Sequence, residues 1–235
     1  MKVAVLNYSG KVGKTTIAAH LLSPRMDNAP IFAVETINET AAGLGVDVEQ
    51  IKGQKFRELF RKLFDLDNAI IDVGASNIEA FLDGMVKIDE SHLEFDYFVI
   101  PVVSGTVIQK ETISMIATLA DFGIPPEKIR VVFNRVEADV SDEFPHILNY
   151  AKKEKNFIAN PETALFETEL FDALAVKKLT VDALLSDETD YKAMRKDNPD
   201  ASAKDRAHWG DMHGLKGLAR GVRRNLDAAY DALFK

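Results

Sequence analysis

The amino-acid sequence predicts an α/β protein with a single domain, in which helices flank a mostly parallel central sheet. Short apolar runs recur along the 235 residues, helix-like stretches separate them, and the first run leads directly into a glycine-containing turn. Strands that alternate with helices favour a parallel sheet with right-handed crossovers. Nearly continuous apolar character is typical of strands buried on both faces.

Five apolar runs are predicted to be strands, and a weaker sixth run follows them. Between the runs, apolar residues recur every three to four positions around residues 56–64 and 113–120, which indicates helices. The pair Pro125-Pro126 ends the second of these helices. The predicted strands are Val3–Leu6, Ile31–Val34, Ala69–Val73, Tyr97–Val103 and Ile129–Phe133, with Phe157–Ala159 as the weaker run.

The end of the chain changes in character. Residues 187–214 form a polar, highly charged segment that we expect to be mobile in part. Residues 215–235 return to a helical period with apolar residues on one side, which predicts a C-terminal amphipathic helix. Nothing in this pattern marks a second folded unit, so residues 1–235 are predicted to form one domain.

Composition narrows the function class. The chain is 46% hydrophobic and 28% charged, as is usual for soluble globular proteins, and it contains no cysteine. Disulfides, thiolate zinc sites and thiolate-ligated iron–sulfur clusters are therefore excluded. A cytoplasmic location is expected, because no apolar run is long enough to span a membrane and the first residues lack a signal-peptide pattern. The net charge of −8 disfavours a surface covered by nucleic acid but permits a local basic patch.

The turn after the first apolar run has the layout of a phosphate-binding loop. An apolar strand, a glycine turn, Gly-Lys-Thr-Thr and a helix-forming stretch follow one another, although Tyr8 stands where the general pattern has glycine. Backbone N–H groups and the positive end of the helix bind anions in such loops. Lys14 can reach terminal phosphates, and Thr15 can place its hydroxyl on Mg²⁺. The predicted nucleotide-binding residues are Ser9, Gly10, Lys11, Val12, Gly13, Lys14, Thr15 and Thr16.

Two later strand ends add residues to this predicted site. Asp72 ends an apolar run and can hold Mg²⁺ opposite Thr15, while the following Gly74 lets the backbone respond to the terminal phosphate. Asn134 and Arg135 end another strand. Asn134 either contacts the purine base of a nucleotide or opens a loop, and both interpretations stay open.

These motifs resemble the ParA/MinD family of deviant Walker ATPases, and within it the StbB-type plasmid stability proteins. The resemblance rests on residues 9–16, 71–74 and 133–135, and the order of elements agrees over residues 1–159. It implies ATP or ADP with Mg²⁺ as ligands, a homodimer that forms on ATP binding, and hydrolysis that releases the subunits. It further implies a role in plasmid stability, segregation or conjugative transfer, with a DNA-bound adaptor protein of the centromere-binding type as partner.

The chain departs from the family pattern at the signature lysine, which is Ser9 here. Lys11, two residues later, either replaces the missing charge through its long side chain or lies in solvent. The catalytic candidates are therefore Lys14, Lys11 and Asp72.

A second departure follows the strand Ile31–Val34. Glu35 fits the first carboxylate of the family's Asp-x-Asp motif, but Ile37 occupies the second position and cannot orient water. Asn38 or Glu39 would have to take over that task. Because nucleotide binding can survive when turnover is slow, we expect a weak or partner-stimulated ATPase.

Two further functions and one surface stay open. One alternative to the ATPase switch is a P-loop enzyme that acts on a small molecule, similar to dethiobiotin synthetase. The other is a module that holds nucleotide with little turnover. The predicted last helix has a basic side that either contacts DNA phosphates non-specifically or is simply solvated. Membrane binding is disfavoured, because the apolar side of that helix has few aromatic residues. The basic residues are Lys216, Arg220, Arg223 and Arg224.

Overall fold

A seven-stranded parallel sheet with the order β3-β2-β4-β1-β5-β6-β7 forms the centre of the protein. The computed structural model describes residues 1–35, 48–52 and 55–235. The predicted α/β architecture with a central sheet flanked by helices is confirmed. The strands are β1 (Lys2–Val5), β2 (Ile31–Val34), β3 (Val48–Ile51), β4 (Ala69–Val73), β5 (Tyr97–Val102), β6 (Ile129–Val136) and β7 (Ala164–Phe166).

The register of the central strands determines where the site forms. β1 lies between β4 and β5, and its last residue, Val5, is paired with Asp72 on one side and Val99 on the other. Because all three strands are parallel, the segments that follow them emerge at the same edge of the sheet. Ligands of such sheets bind at this carboxyl edge.

Helices cover both faces of the sheet. The helix α1 begins at Lys14 and continues as a π-helix over Ile17–Leu22, followed by a short 3₁₀ turn at Ser23–Arg25. Further 3₁₀ turns lie at Ala75–Asn77, Ser91–Glu94 and Pro126–Lys128. The α-helices are α1 (Lys14–Thr16), α2 (Phe56–Phe64), α3 (Ile78–Lys87), α4 (Thr106–Asp121), α5 (Val140–Glu143), α6 (Pro145–Glu154), α7 (Leu170–Lys177), α8 (Val181–Ser186), α9 (Tyr191–Asp197) and α10 (Ala203–Leu233).

Each face of the sheet has its own apolar core. Side chains alternate along β1, so Ala4 and Leu6 join the core under α2, α3 and α4, whereas Val3 and Val5 join the core under the π-helix and α10. This explains why the strands read as continuous apolar runs, since both of their faces are buried.

Two short strands at the edges of the sheet were missed by the sequence prediction. β3 carries the exposed residues Glu49 and Gln50, and an edge strand with polar residues lacks the apolar signal of a central strand. The weak run Phe157–Ala159 is wrong as a strand, since only Ile158 forms an isolated bridge, with Arg130. The seventh strand is instead the three-residue segment Ala164–Phe166.

The predicted boundary of the last helix was also wrong. The helix α10 begins at Ala203, because the Ser202 hydroxyl accepts a hydrogen bond of 3.1 Å from the Asp205 backbone and so caps its first turn. The polar segment before it contains α9 and contacts α10. Lys216 pairs with Asp187 at 3.2 Å and lies 4.9 Å from the centre of the Tyr191 ring.

Candidate nucleotide-binding site

An open groove of about 1020 Å³ lies at the carboxyl edge of the sheet, in front of β1, β2 and β4. It is the place where the register of the parallel strands brings the first loop and Asp72 together. Most of the residues predicted for a nucleotide site line it. The lining residues are Gly10, Lys11, Gly13, Lys14, Thr15, Thr16, Glu35, Asp72, Gly74, Ala75, Ser76 and Arg135.

The phosphate loop, residues 9–16, adopts a backbone that requires glycine at Gly13. This residue has a φ of 89° and directly precedes α1. A Cβ atom at Gly13 would lie 2.3 Å from Nδ2 of Asn134, which is far closer than a van der Waals contact. Lys11 also has a left-handed backbone, with a φ of 59°, and its side chain is exposed at the groove.

Lys14 points its ammonium group back across the phosphate loop. Its Nζ donates hydrogen bonds to the carbonyls of Ser9, at 2.8 Å, and Asn7, at 3.2 Å. Burial lowers the pKa of Lys14, while the negative charges of Asp72 and Glu35 oppose that shift. The arrangement keeps one cation at the place where the phosphate loop meets the sheet.

Asp72 is the carboxylate opposite the loop, and it is 1% exposed. Burial raises its pKa, whereas a hydrogen bond from the Thr15 side chain and the charge of Lys14 counteract the increase. Within the described part of the chain, Oδ2 of Asp72 has no hydrogen-bond partner although it is buried. A buried carboxylate oxygen without a partner, next to a threonine hydroxyl, is a donor set that suits Mg²⁺. Thr15 and Asp72 therefore lie together at the groove, and a role of this pair in holding Mg²⁺ stays a prediction.

Asn7 supports the phosphate loop, and sequence reasoning missed it. Its side-chain NH₂ donates to the carbonyl of Pro101 at 2.8 Å and to the hydroxyl of Thr112 at 2.7 Å, and its Oδ1 accepts from the Ser9 backbone at 2.9 Å. The only signal in the sequence is one polar residue that interrupts the apolar run directly before the loop. Asn7 is fully buried and links the loop to β5 and α4.

Ser9 stands where the family has its signature lysine, and its side chain faces this subunit rather than the groove. The hydroxyl donates a short hydrogen bond to the carboxylate of Glu111 on α4, and Ser9 is only 4% exposed. Glu111 thus joins α4 to the phosphate loop of the same chain.

The remaining predicted site residues occupy different parts of the groove. The backbone of Gly74 donates to the carbonyl of Val34 at 3.1 Å, so the segment after β4 lies against the end of β2. A Cβ at Gly74 would be 3.3 Å from Cγ of Glu35, so Glu35 is its neighbour in the groove. Arg135 lines the groove with a left-handed backbone, whereas Val12 is fully buried beneath the loop.

Asn134 lies at the end of β6 and is 7% exposed. Its NH₂ group donates a 2.9 Å hydrogen bond to the carbonyl of Val12, which makes it a support of the phosphate loop. Contact between Asn134 and a purine base stays a prediction. The expected replacement of the second Asp by Asn38 or Glu39 falls on residues 36–47, outside the described residues, as does Ile37.

The four basic residues that the sequence placed on one side of the last helix do not form one free surface. Besides the contacts of Lys216 with the α9 segment, Arg223 forms an ion pair with Asp182 and lies 4.0 Å from Asp227. Within the described residues, Arg220 and Arg224 are exposed and form no ion pair. The basic side is thus partly neutralised by carboxylates of this chain.

The described residues contain neither a membrane-spanning helix nor a cluster of metal ligands. No helix among them combines the length and apolar character needed to cross a membrane. No group of three or more His, Cys, Asp or Glu residues among them is arranged to hold a metal ion. The Thr15–Asp72 pair differs from such a group because it would share its ion with the phosphates of a nucleotide.

Solved structures of known proteins have the same fold as this chain. No known protein-family model matches the chain, and no curated protein matches it. An McdA variant from Cyanothece in complex with ATP is 16% identical, covers 94% of this chain and 96% of its own, and has a TM-score of 0.53. Apo McdA from Cyanothece is 14% identical, with coverages of 99% and 98% and a TM-score of 0.56.

A third structure is MinD of Aquifex aeolicus in its complex with MinC. It is 12% identical to this chain, covers 80% of this chain and 88% of its own, and has a TM-score of 0.53. At sequence identities this low, the structural similarity shows a shared fold and nothing more. The chain has the fold of McdA and MinD, which is the ParA/MinD-type fold that its sequence motifs predict.

Proposed function

We propose that this chain is a ParA-like ATPase switch that binds ATP and Mg²⁺ and dimerises when ATP is bound. The observation that carries the proposal is the meeting of Lys14, Thr15 and Asp72 at the carboxyl edge of the sheet, with Lys14 and Asp72 both buried. A lysine at the start of a helix and a buried carboxylate beside a threonine hydroxyl match the needs of a triphosphate with a divalent cation.

Each residue has a distinct task in this proposal. Lys14 and the backbone N–H groups of residues 10–16 bind the β- and γ-phosphates of ATP, or the phosphates of ADP. Thr15 and Asp72 hold Mg²⁺, which neutralises negative charge on the phosphates when it is bound. Gly74 lies where the backbone can respond to the terminal phosphate, and Arg135 adds a guanidinium to the groove, 3.9 Å from the Glu167 carboxylate.

The proposed turnover is slow or stimulated by a partner. Ser9 brings no positive charge to the phosphates, and its hydroxyl is already engaged with Glu111. Besides Lys14, the loop has the lysine Lys11, which is exposed at the groove. Its long, flexible side chain can bring a positive charge to the phosphates. Phosphoryl transfer depends on such charge neutralisation, so the loss of one positioned cation lowers the rate more than the affinity.

The cellular role that we propose is plasmid stability, segregation or conjugative transfer, as in StbB-type proteins. The proposed partners are a second copy of the chain, in the presence of ATP, and a DNA-bound adaptor protein of the centromere-binding type. Support comes from the fold shared with McdA bound to ATP and with MinD bound to MinC. Direct DNA contact through α10 would use Arg220 and Arg224, which form no ion pair within the described residues.

Isothermal titration calorimetry with ATP and Mg²⁺ tests nucleotide binding. We expect a saturable heat signal for the natural chain, a large loss of affinity for Lys14→Ala, and no change for Lys152→Ala, which removes an exposed lysine on α6. Light scattering on the same samples should show an ATP-dependent dimer that Lys14→Ala abolishes. No heat signal with the natural chain would overturn the nucleotide assignment.

A turnover assay separates the ATPase switch from a small-molecule enzyme. ATP consumption is measured alone, with DNA, and with a panel of small organic acids. Stimulation by DNA supports the switch, whereas stimulation by one acid supports an enzyme similar to dethiobiotin synthetase. Binding without turnover under every condition identifies a nucleotide-holding module.

A further inference from the structure

A second groove, lined by other residues than the nucleotide groove, has an exposed apolar floor. It lies beside α2 and the end of α3, has a volume of about 920 Å³, and contains Phe60, Phe64 and Ile88. Phe64 is 76% exposed, which is unusual for a phenylalanine on a folded surface. Apolar side chains grouped in a groove, rather than scattered singly, indicate a binding surface.

The rim of this groove carries unpaired positive charge. Arg57 and Arg61 line it, are exposed, and form no hydrogen bond or ion pair through their side chains within the described residues. Lys55, in contrast, is paired with Glu58 at 3.1 Å. The lining as a whole has three cations, Lys55, Arg57 and Arg61, against the two carboxylates of Glu58 and Asp65, so the groove is locally positive in a chain whose net charge is −8.

The topology places the aromatic end of this groove away from the nucleotide site. The helix α2 runs from the carboxyl end of β3 to the amino end of β4, so its last residue, Phe64, approaches the amino edge of the sheet. Ile88 directly follows α3, which runs in the same direction on its way to β5. The phosphate loop lies at the opposite edge. A partner helix anchored on Phe64 and Ile88 is therefore held at the amino edge, whereas Arg57 lies near the start of α2, towards the carboxyl edge.

We propose that the groove beside α2 binds an amphipathic helix of a partner protein that carries acidic residues beside its apolar face. Arg57 and Arg61 are one helical turn apart, as are Phe60 and Phe64, so α2 presents a basic row next to an aromatic row. A partner helix laid along α2 matches both rows, with apolar anchors at three- to four-residue spacing and carboxylates one turn apart.

Charge selects this occupant over two others. A single-stranded nucleic acid would stack on the phenylalanines, but its continuous row of phosphates needs a longer basic track than Arg57 and Arg61 provide. A second copy packed through this groove about a two-fold axis would bring the arginines of both subunits towards each other. Acidic residues on a partner helix instead pair with Arg57 and Arg61, and the apolar face covers Phe64.

Selection of displayed helical peptides on the immobilised full-length chain tests the proposal. We expect the enriched peptides to combine apolar anchors with an excess of Asp and Glu, and to bind in fluorescence anisotropy measurements. Phe64→Ala should weaken that binding by about tenfold or more, because anchors in a groove carry most of the affinity. Arg57→Glu combined with Arg61→Glu should abolish binding of the acidic peptides and enrich basic ones instead.

The substituted residues are exposed, so the variants should fold, and circular dichroism verifies their helix content. Val176→Ala is the matched control, because Val176 is 85% exposed on α7, away from the groove. The proposal is overturned if no peptide is enriched, if enriched peptides lack acidic residues, or if Phe64→Ala binds them as tightly as the natural chain. Competition by a single-stranded oligonucleotide, or self-association that Phe64→Ala removes, would also overturn it and identify the other occupant.

Discussion

Asn134, at the end of β6, donates a hydrogen bond of 2.9 Å to the carbonyl of Val12 in the phosphate loop, although 122 positions separate the two residues. The same side chain lies over Gly13, where a Cβ would come within 2.3 Å of its Nδ2. The loop is thus held from outside its own sequence, by β6 on one side and by Asn7 on the other. Several expected outcomes depend on this support.

Asn134→Ala removes the hydrogen bond and leaves the buried Val12 carbonyl without this donor. Loss of such a bond costs about 1 kcal/mol, so ATP affinity should fall by about fivefold if loop support is its role. Calorimetry with both ATP and GTP distinguishes the two interpretations. Equal losses for both nucleotides indicate loop support alone, whereas a change in the ATP-to-GTP preference shows that Asn134 also contacts the base.

Gly13→Ala should destabilise the chain even without nucleotide. The left-handed backbone of Gly13 costs a non-glycine residue about 1–2 kcal/mol, and the added methyl group displaces the Asn134 side chain. We expect the free energy of unfolding in urea to fall by about 2 kcal/mol or more. Gly10→Ala is the matched control, because a Cβ at Gly10 has nothing within 4 Å. Equal stability of the two variants would contradict this account.

Asp72→Asn should distinguish the effect of the buried charge on the stability of the chain from its effect on Mg²⁺ binding. Burial raises the pKa of Asp72, so the neutral amide is accommodated at least as well in the absence of metal. The melting temperature without nucleotide should therefore hold or rise, while stabilisation by ATP with Mg²⁺ should be lost. Asp89→Asn, at an exposed carboxylate, should keep that stabilisation. An unchanged ATP–Mg²⁺ shift in Asp72→Asn would refute the metal assignment.

His20 should make the folded state sensitive to mild acid. It lies in the π-helix against Phe171, is 2% exposed, and within the described residues neither ring nitrogen has a hydrogen-bond partner. Burial lowers the pKa of His20 to about 4, from 6.5 in an ordinary environment. Below pH 6.5 the unfolded chain gains a proton that the folded chain excludes until the pH approaches 4. The contribution of His20 to the free energy of unfolding is therefore complete above pH 6.5 and decreases as the pH falls from 6.5 towards 4.

The size of that effect is measurable in a variant. Between pH 7.5 and pH 5 this residue should remove about 2 kcal/mol of unfolding free energy, at about 1.4 kcal/mol per pH unit. His20→Leu should lose correspondingly less over the same range while remaining folded at pH 7.5. Urea unfolding of both chains at the two pH values measures the difference. Identical losses would show that another group is responsible.

Two residues on the basic side of α10 should affect stability, and the other two should affect DNA binding. Lys216 and Arg223 are engaged with Asp187 and Asp182, so Lys216→Ala should lower the stability of the chain rather than any DNA affinity. Arg220→Ala combined with Arg224→Ala should weaken non-specific DNA binding and flatten its salt dependence, because fewer counterions are released. Fluorescence anisotropy with a labelled duplex at several salt concentrations measures both. If DNA affinity depends on Lys216 and not on the other pair, this division is wrong.

Local features of the sequence were sufficient to predict the α/β class and the central strands, and they also singled out residues 9–16 and Asp72, whose role in nucleotide binding stays a prediction. Apolar strands buried on both faces, a glycine turn and Gly-Lys-Thr before a helix act through neighbouring residues, and their signals lie within a few positions. The edge strand β3 and the three-residue β7 lacked such signals. They are held by pairing with β2 and β6, not by their own apolar character.

Only the tertiary structure decided how the phosphate loop is supported and which charges stay free. Asn7 meets Thr112, Ser9 meets Glu111, and Asn134 meets Val12 across more than a hundred positions of the chain. Lys216 and Arg223 have the same charge in the sequence as Arg220 and Arg224, but among the described residues the carboxylates of Asp187 and Asp182 reach the first two and not the others. Such contacts depend on which elements pack together, and no local pattern of residues encodes them.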